Sequence, residues 1–170
     1  MAKGSKDTNI IGERGEHLAA IRLTQGQLFD VITIGAKALA LDLLCRINDE
    51  NKPYQFLVQV KATETIPTYT KKTPYRIKTP VPTKNYKTLQ KLPLPTYVAG
   101  VDNNKGDVFI APAFELEDNY AGSIPTTYVL SQSNLTASLN NLNKLKQDVI
   151  DYWDGLSIQD YKSFFISALI

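Results

Sequence analysis

Residues 54–62 read Tyr-Gln-Phe-Leu-Val-Gln-Val-Lys-Ala, and this stretch decides the fold. The side chains alternate in character, which is typical of a β-strand with two different faces. The side chains of one face are aromatic or aliphatic: Tyr54, Phe56, Val58 and Val60. The other face carries Gln55, Leu57, Gln59 and Lys61. Strand interiors disfavour such polar residues, so Gln59 and Lys61 are candidates for a functional site or for an ion pair at a sheet edge.

The residues before this strand predict a partner for it. Residues 40–47 also alternate, and residues 48–53 read Asn-Asp-Glu-Asn-Lys-Pro, which is typical of a turn. The two alternating runs therefore predict a β-hairpin. Asp42 stands in the middle of the first run, on the face shared with Leu44 and Arg46. A buried carboxylate costs several kcal/mol unless it is paired or binds a metal.

The rest of the chain predicts a mixed α/β fold. We expect helices over residues 12–26, 85–92, 133–154 and 157–169, and strands over residues 28–34, 75–78, 96–101, 107–111 and 127–130. The turn Asp102-Asn103-Asn104-Lys105-Gly106 joins two of these strands into a second hairpin. The whole chain of 170 residues is interpreted as one domain, with a core over about residues 10–115 and a C-terminal helical extension over about residues 132–170.

Composition excludes several classes of protein. With 43% apolar residues and a formal net charge of +2, the chain is not intrinsically disordered. Its longest apolar runs are about eight residues, well short of the roughly 18 that a membrane span requires, so no membrane partner is expected. The single cysteine, Cys45, cannot form an internal disulfide, which favours a reducing, cytoplasmic setting.

The net charge of +2 conceals an uneven distribution. Residues 65–101 contain seven basic residues and no acidic residue, whereas residues 1–64 are neutral and residues 102–170 carry a net charge of −5. Tyrosines are interleaved with the basic residues. Cations and aromatic rings together suit a phosphate backbone with accessible bases, although a solvated surface with core tyrosines has the same composition. The candidate nucleic-acid-binding residues are Lys71, Lys72, Arg76, Lys78, Lys84, Lys87 and Lys91.

The misplaced polar residues predict a site. If the first hairpin closes as expected, Asp42 lies near Gln59 and Lys61 at one end of a sheet, and Glu16 on the preceding helix can approach the same point. Carboxylate and amide oxygens are ligands that Mg²⁺ accepts, and lysine can stabilise a phosphate. The alternative is an ion pair between Asp42 and Lys61 at a sheet edge, without chemistry.

These residues belong to a series of short motifs between residues 12 and 63. Residues 12–20 read Gly-Glu-Arg-Gly-Glu-His-Leu-Ala-Ala, and they are followed by Gly26, by Leu-Asp-Leu at 41–43 and by Phe-Leu-Val-Gln-Val-Lys-Ala-Thr at 56–63. The arrangement resembles the PD-(D/E)XK nuclease superfamily, in particular small prokaryotic proteins similar to archaeal Holliday junction resolvases and to uncharacterised restriction-endonuclease-like domains. The resemblance is clear over residues 10–64, weaker to about residue 115, and absent beyond.

The resemblance implies a restriction-endonuclease-like core, with a mixed central sheet flanked by helices, and hydrolysis of DNA phosphodiester bonds with Mg²⁺ or Mn²⁺. It also implies frequent homodimerisation. No organic cofactor is expected. By match, Asp42, Gln59 and the carbonyl of Val60 would bind the metal, and Glu16 would bind the metal or a metal-bound water. Lys61 would orient the attacking water. Glu13 takes the place of Glu16 if the helix register differs.

Gln59 departs from the superfamily pattern, which usually has aspartate or glutamate at this position. An amide oxygen can still bind a hard cation, but it contributes no charge, so metal affinity should fall. Glutamine does occur here within the resembled group. The alternative function is therefore a catalytically weak or inactive nuclease fold that binds nucleic acid or a protein partner.

Overall fold

The computed structural model describes residues 5–34, 41–64, 69–70, 76–77, 87–113 and 124–156. Two long helices occur in these ranges, α1 (Ser5–Thr24) and α2 (Leu135–Gly155), and a short 3-10 turn (Gln25–Gln27) follows α1. The strands are β1 (Phe29–Thr33), β2 (Leu43–Ile47), β3 (Gln55–Thr63), β4 (Tyr69–Thr70), β5 (Arg76–Ile77), β6 (Thr96–Asp102), β7 (Asp107–Pro112), β8 (Ile124–Pro125) and β9 (Tyr128–Leu130).

The main sheet has six strands in the order β1-β2-β3-β6-β7-β9. Its central pair, β3 and β6, is parallel, and the other neighbours are antiparallel. A smaller antiparallel sheet contains β4, β5 and β8. The prediction of an α/β fold with a mixed central sheet is therefore confirmed.

The two faces of the main sheet bury different sets of side chains. Both helices cover one face, where Ala19 and Leu23 of α1 and Leu142 and Leu145 of α2 join a core with Phe56 of β3. The other face has its own cluster, which includes Leu57, Leu89, Val98, Phe109 and Ile124. The alternation along residues 54–62 predicts two different faces for β3, and in the structure each face contributes to a separate core.

Most predicted elements agree with the observed ones to within a few residues. The first helix is longer than expected, since α1 begins at Ser5 and not at residue 12. Residues 5–11 contain no proline, so nothing prevents the helix from extending towards the N-terminus. The helix ends at Thr24, and Gly26 then adopts a left-handed conformation with φ of 77°. The helix expected over residues 157–169 lies outside the described residues.

Neither of the two long helices has the apolar length that crossing a lipid bilayer requires, and the same holds for the other helical turns in the described ranges.

Candidate active site

Asp42 lies immediately before β2, at a point where the strand alternation is interrupted. Its N–H donates to the carbonyl of Val58 over 3.1 Å, although Val58 is paired with Leu43 in the register of β2 and β3. Two consecutive residues thus oppose one residue of β3, which is the arrangement of a β-bulge. Leu41 accordingly packs in the second core cluster, whereas Leu43 packs in the first. The prediction that Asp42 stands in the middle of a regular strand is wrong, because the bulge redirects the chain there.

The bulge leaves the Asp42 side chain beside the backbone of β3. Its Oδ2 accepts a hydrogen bond from the N–H of Val60 over 2.6 Å. The carboxylate of Asp42 thus takes the place of a backbone carbonyl as the acceptor for this N–H group of β3. Because the N–H and C=O of one strand residue lie at the same edge, the carbonyl of Val60 also lies at the edge where Asp42 stands.

Gln59 and Lys61 flank Val60 on β3. Gln59 is only 1% exposed, and its Oε1 has no hydrogen-bond partner within the described part of the chain. Leaving a buried acceptor unpaired costs about 1–3 kcal/mol, so a ligand of this oxygen would remove that cost. Lys61 is half-buried, and the residue opposite it on β6 is Gly100, which has no side chain to crowd it.

Glu16 lies on α1, one residue after a point of close approach between the helix and β3. Gly15 is buried at that point, and a Cβ atom there would lie 2.3 Å from the Cβ of Ala62. Carbon atoms in ordinary contact are about 3.5–4.0 Å apart, so the observed approach requires glycine. The approach brings Glu16 within electrostatic reach of Asp42 and Lys61.

The two carboxyl groups are both less acidic than their ordinary values. Burial raises the pKa of Glu16, and the charge of Asp42 raises it further against the opposing effect of Lys61. Burial also raises the pKa of Asp42, although the hydrogen bond from Val60 and the charge of Lys61 act in the opposite direction. A cation bound beside both groups would favour their ionised forms.

The available donors fit a hard divalent cation. They comprise the carboxylates of Glu16 and Asp42, the unpartnered amide oxygen of Gln59 and the carbonyl of Val60, and all are oxygen ligands of the kind that Mg²⁺ and Mn²⁺ accept. No cluster of three or more histidine, cysteine, aspartate or glutamate side chains occurs among the described residues. The candidate set holds only two carboxylates, so the metal-binding roles predicted from the sequence stay predictions.

The basic segment is described only in part. Lys87 and Lys91 are exposed, and Arg76 lies on β5. Four of the seven predicted nucleic-acid-binding residues lie outside the described residues: Lys71, Lys72, Lys78 and Lys84. Whether the seven cations share one surface therefore stays a prediction.

Two residues that the sequence analysis did not assign hold α1 near the candidate site. The sequence offers a reason to single out Gly15, because a glycine inside a helix lowers helix stability by about 1 kcal/mol and often marks a close contact. The sequence does not single out Asn103, since its neighbour Asn104 fits the same turn equally well. In the structure Asn103 is 2% exposed, and its Nδ2 donates to the carbonyl of Ile11 on α1 over 3.0 Å.

Comparison with known proteins agrees with this architecture. No protein-family model matches the chain, and no curated protein matches it either. Its fold is similar to the solved structure of a bacterial homing endonuclease, I-Ssp6803I, with a TM-score of 0.51 and 14% sequence identity. The similarity covers 90% of this chain and 99% of that chain. The chain therefore has a nuclease-like fold, and its membership of the PD-(D/E)XK superfamily stays a prediction.

Proposed function

We propose that the protein is a metal-dependent endonuclease that hydrolyses phosphodiester bonds in DNA, with Glu16, Asp42, Gln59 and Lys61 as its active site. One observation carries the proposal. A β-bulge places Asp42 on the N–H of Val60, whose neighbours along β3 are a glutamine with a buried, unpartnered oxygen and a half-buried lysine. An unpaired buried oxygen on Gln59, and two carboxyl groups whose pKa values are raised mainly by burial, are costly without a cation and useful with one.

Each residue has a distinct task in this proposal. Asp42, Gln59 and the carbonyl of Val60 would hold Mg²⁺ or Mn²⁺, and Glu16 would complete the set directly or through a water. A cation at this place neutralises phosphate charge and makes a bound water more acidic. Lys61 orients the attacking water with its ammonium group and stabilises the negative charge that develops on the phosphate. The water oxygen forms a bond to phosphorus and gives up its proton to solvent, while the P–O bond to the leaving nucleotide breaks and the leaving oxygen takes a proton from solvent.

Two further features support DNA as the substrate. The similar solved structure is that of a homing endonuclease. The segment 65–101, which begins four residues after Lys61, carries seven basic residues and no acidic residue. Neutralising phosphates with lysine and arginine supplies most of the affinity that proteins have for a nucleic-acid backbone.

Cleavage assays with a lysine variant test the proposal. The purified protein should nick or cut DNA in the presence of Mg²⁺ or Mn²⁺ and not in EDTA. Lys61→Ala should abolish cleavage and leave DNA binding in EDTA largely unchanged, because the lysine acts on the reacting phosphate. Lys144→Ala removes an exposed lysine on α2 and is the matched control, with cleavage as in the unchanged protein. Full cleavage by Lys61→Ala would exclude the proposed site.

A comparison of substrates addresses the type of DNA. The sequence resemblance to Holliday junction resolvases favours branched DNA, whereas the similar solved structure belongs to a homing endonuclease. Four-way junctions, nicked duplexes and linear duplexes of equal length should therefore be compared at one salt concentration. Preference for junctions would support the resolvase relationship, and cleavage of long linear duplexes at defined positions would contradict it.

A second function, binding nucleic acid without cleaving it, is favoured by one observation. Gln59 contributes no negative charge, so the described site offers a cation only two carboxylates. Calorimetric titration with Mn²⁺ distinguishes the two functions. Dissociation constants in the micromolar to millimolar range support the nuclease, and absence of binding together with DNA binding supports the second function.

A further inference from the structure

Asn103 stands where α1, β3 and the turn after β6 meet. Its backbone N–H donates to the carbonyl of Thr63 at the end of β3 over 3.0 Å. Its side-chain Nδ2 donates to the carbonyl of Ile11 on α1, also over 3.0 Å. One residue thus connects the strand that carries Gln59 and Lys61 to the helix that carries Glu16.

The contact with α1 lies beside the backbone of Gly15. The carbonyl of Ile11 is the regular helical acceptor for the N–H of Gly15, four residues later, so Asn103 binds the same turn of the helix. A Cβ atom at position 15 would lie 3.6 Å from the Oδ1 of Asn103. The amide of Asn103 therefore lies against the backbone of the residue that precedes Glu16.

The turn that carries Asn103 is itself held in place. The Oδ1 of Asp102 accepts hydrogen bonds from the N–H groups of Asn104, over 2.9 Å, and of Lys105, over 3.2 Å. Asp102 itself is 1% exposed, and both bonds are partly buried. Asn103 is consequently fixed relative to β6, and through Thr63 relative to β3.

The other polar side-chain contacts of α1 described here lie near the end of the helix or contribute little. Arg22, near the end of the helix, donates through Nε to the carbonyl of Gly106 over 2.9 Å. Arg14 approaches Glu64 at 3.8 Å, but both side chains are about half exposed, and exposed ion pairs contribute little. The bond from Asn103 to Ile11 is partly buried and lies on the turn of α1 that precedes Glu16.

We propose that Asn103 is a positioning residue of the candidate metal site. It holds α1 at the depth and rotation that keep the Glu16 carboxyl group beside Asp42 and Lys61. The inference rests on the proposed function, since it concerns the geometry of that site. Groups that orient metal ligands without touching the metal typically contribute 10–100-fold to metal affinity, and the loss of Asn103 should act at the lower end, about 10-fold.

The test compares two neighbouring asparagines in the full chain. Asn103→Ala removes the bond to Ile11, whereas Asn104→Ala removes a bond of similar type, from Nδ2 to the carbonyl of Glu64 at 2.6 Å, that does not reach α1. Dissociation constants for Mn²⁺ alone are measured by calorimetry, and circular dichroism confirms folding at the same temperature. Asn103→Ser keeps a shorter donor and serves if the alanine variant does not fold.

Asn103→Ala is expected to raise the Mn²⁺ dissociation constant about 10-fold, Asn103→Ser less, and Asn104→Ala less than two-fold. DNA binding in EDTA should be unchanged in all three, which distinguishes a loss of positioning from a general loss of structure. Unchanged Mn²⁺ affinity in the folded Asn103 variants would overturn the inference and leave the proposed function standing. An equal loss in Asn104→Ala would also overturn it. Absence of Mn²⁺ binding by the unchanged protein would refute both the positioning role of Asn103 and the proposed metal-dependent function.

Discussion

Replacing Gly15 by alanine tests the packing on which the candidate site depends. Alanine stabilises a helix interior by about 0.5–1 kcal/mol relative to glycine. At Gly15 this gain is opposed, because the new methyl carbon would lie 2.3 Å from the Cβ of Ala62. That Cβ is bonded directly to the backbone of β3 and cannot rotate away, so α1 must move outward by about 1 Å to restore ordinary contact. Overpacking of this kind costs about 1–3 kcal/mol.

Gly12 provides the matched control on the same helix. A Cβ atom at Gly12 would have no heavy atom within 4 Å, so Gly12→Ala should raise the free energy of unfolding by about 0.5–1 kcal/mol. The gain in helix propensity is common to both variants and cancels in their comparison. Gly15→Ala should therefore be less stable than Gly12→Ala by about 1–3 kcal/mol, the overpacking cost alone.

Urea denaturation followed by far-UV circular dichroism measures both free energies of unfolding. Calorimetric titration with Mn²⁺ then examines the site, where Gly15→Ala should bind more weakly because the outward movement of α1 separates Glu16 from Asp42. Gly12→Ala should bind as the unchanged protein does. Equal stability of the two alanine variants would refute the reasoning, since it would mean that α1 does not approach Ala62 as closely as described.

Three further predictions follow from the site and the charge distribution. Because the pKa of Glu16 is raised in the folded protein, the stabilising contribution of this group is present at acid pH and is lost as the pH rises through that pKa. Glu16→Gln should therefore raise the melting temperature of the metal-free protein at neutral pH and not at acid pH. A Glu16→Gln variant that melts below the unchanged protein at neutral pH would contradict this. Gln59→Glu should destabilise the metal-free protein by roughly 3 kcal/mol, since it buries an unpaired carboxylate, and Mn²⁺ should stabilise this variant more than the unchanged protein. If all seven basic residues of segment 65–101 contact phosphates, the logarithm of the DNA-binding constant should fall against the logarithm of salt concentration with a slope of about −6, and a slope near zero would exclude the segment as the DNA-binding surface.

Strand alternation and turn residues were sufficient to predict much of the fold. The two faces of β3, its hairpin with β2 and the hairpin of β6 and β7 all follow from local patterns that act over a few residues. The order of strands in the sheet was not predicted, because pairing between β3 and β6 joins residues about 40 positions apart. Such pairing depends on the path of the chain that connects the two strands, and local periodicity contains no information about that path.

The amino-acid sequence by itself determined which residues are candidates for chemistry. Gln59 and Lys61 are conspicuous because a strand interior normally excludes them, and Asp42 and Glu16 follow from spacing and resemblance. Only the tertiary structure decided that Asp42 bonds to the backbone of Val60 and that Glu16 comes within electrostatic reach of Asp42 and Lys61. The bulge that aims Asp42 at the N–H of Val60 arises from pairing with another strand, and the approach of Gly15 to Ala62 arises from packing of a helix on a sheet. Both depend on atoms distant in the chain, whose contacts become defined only when the two layers close around their common core.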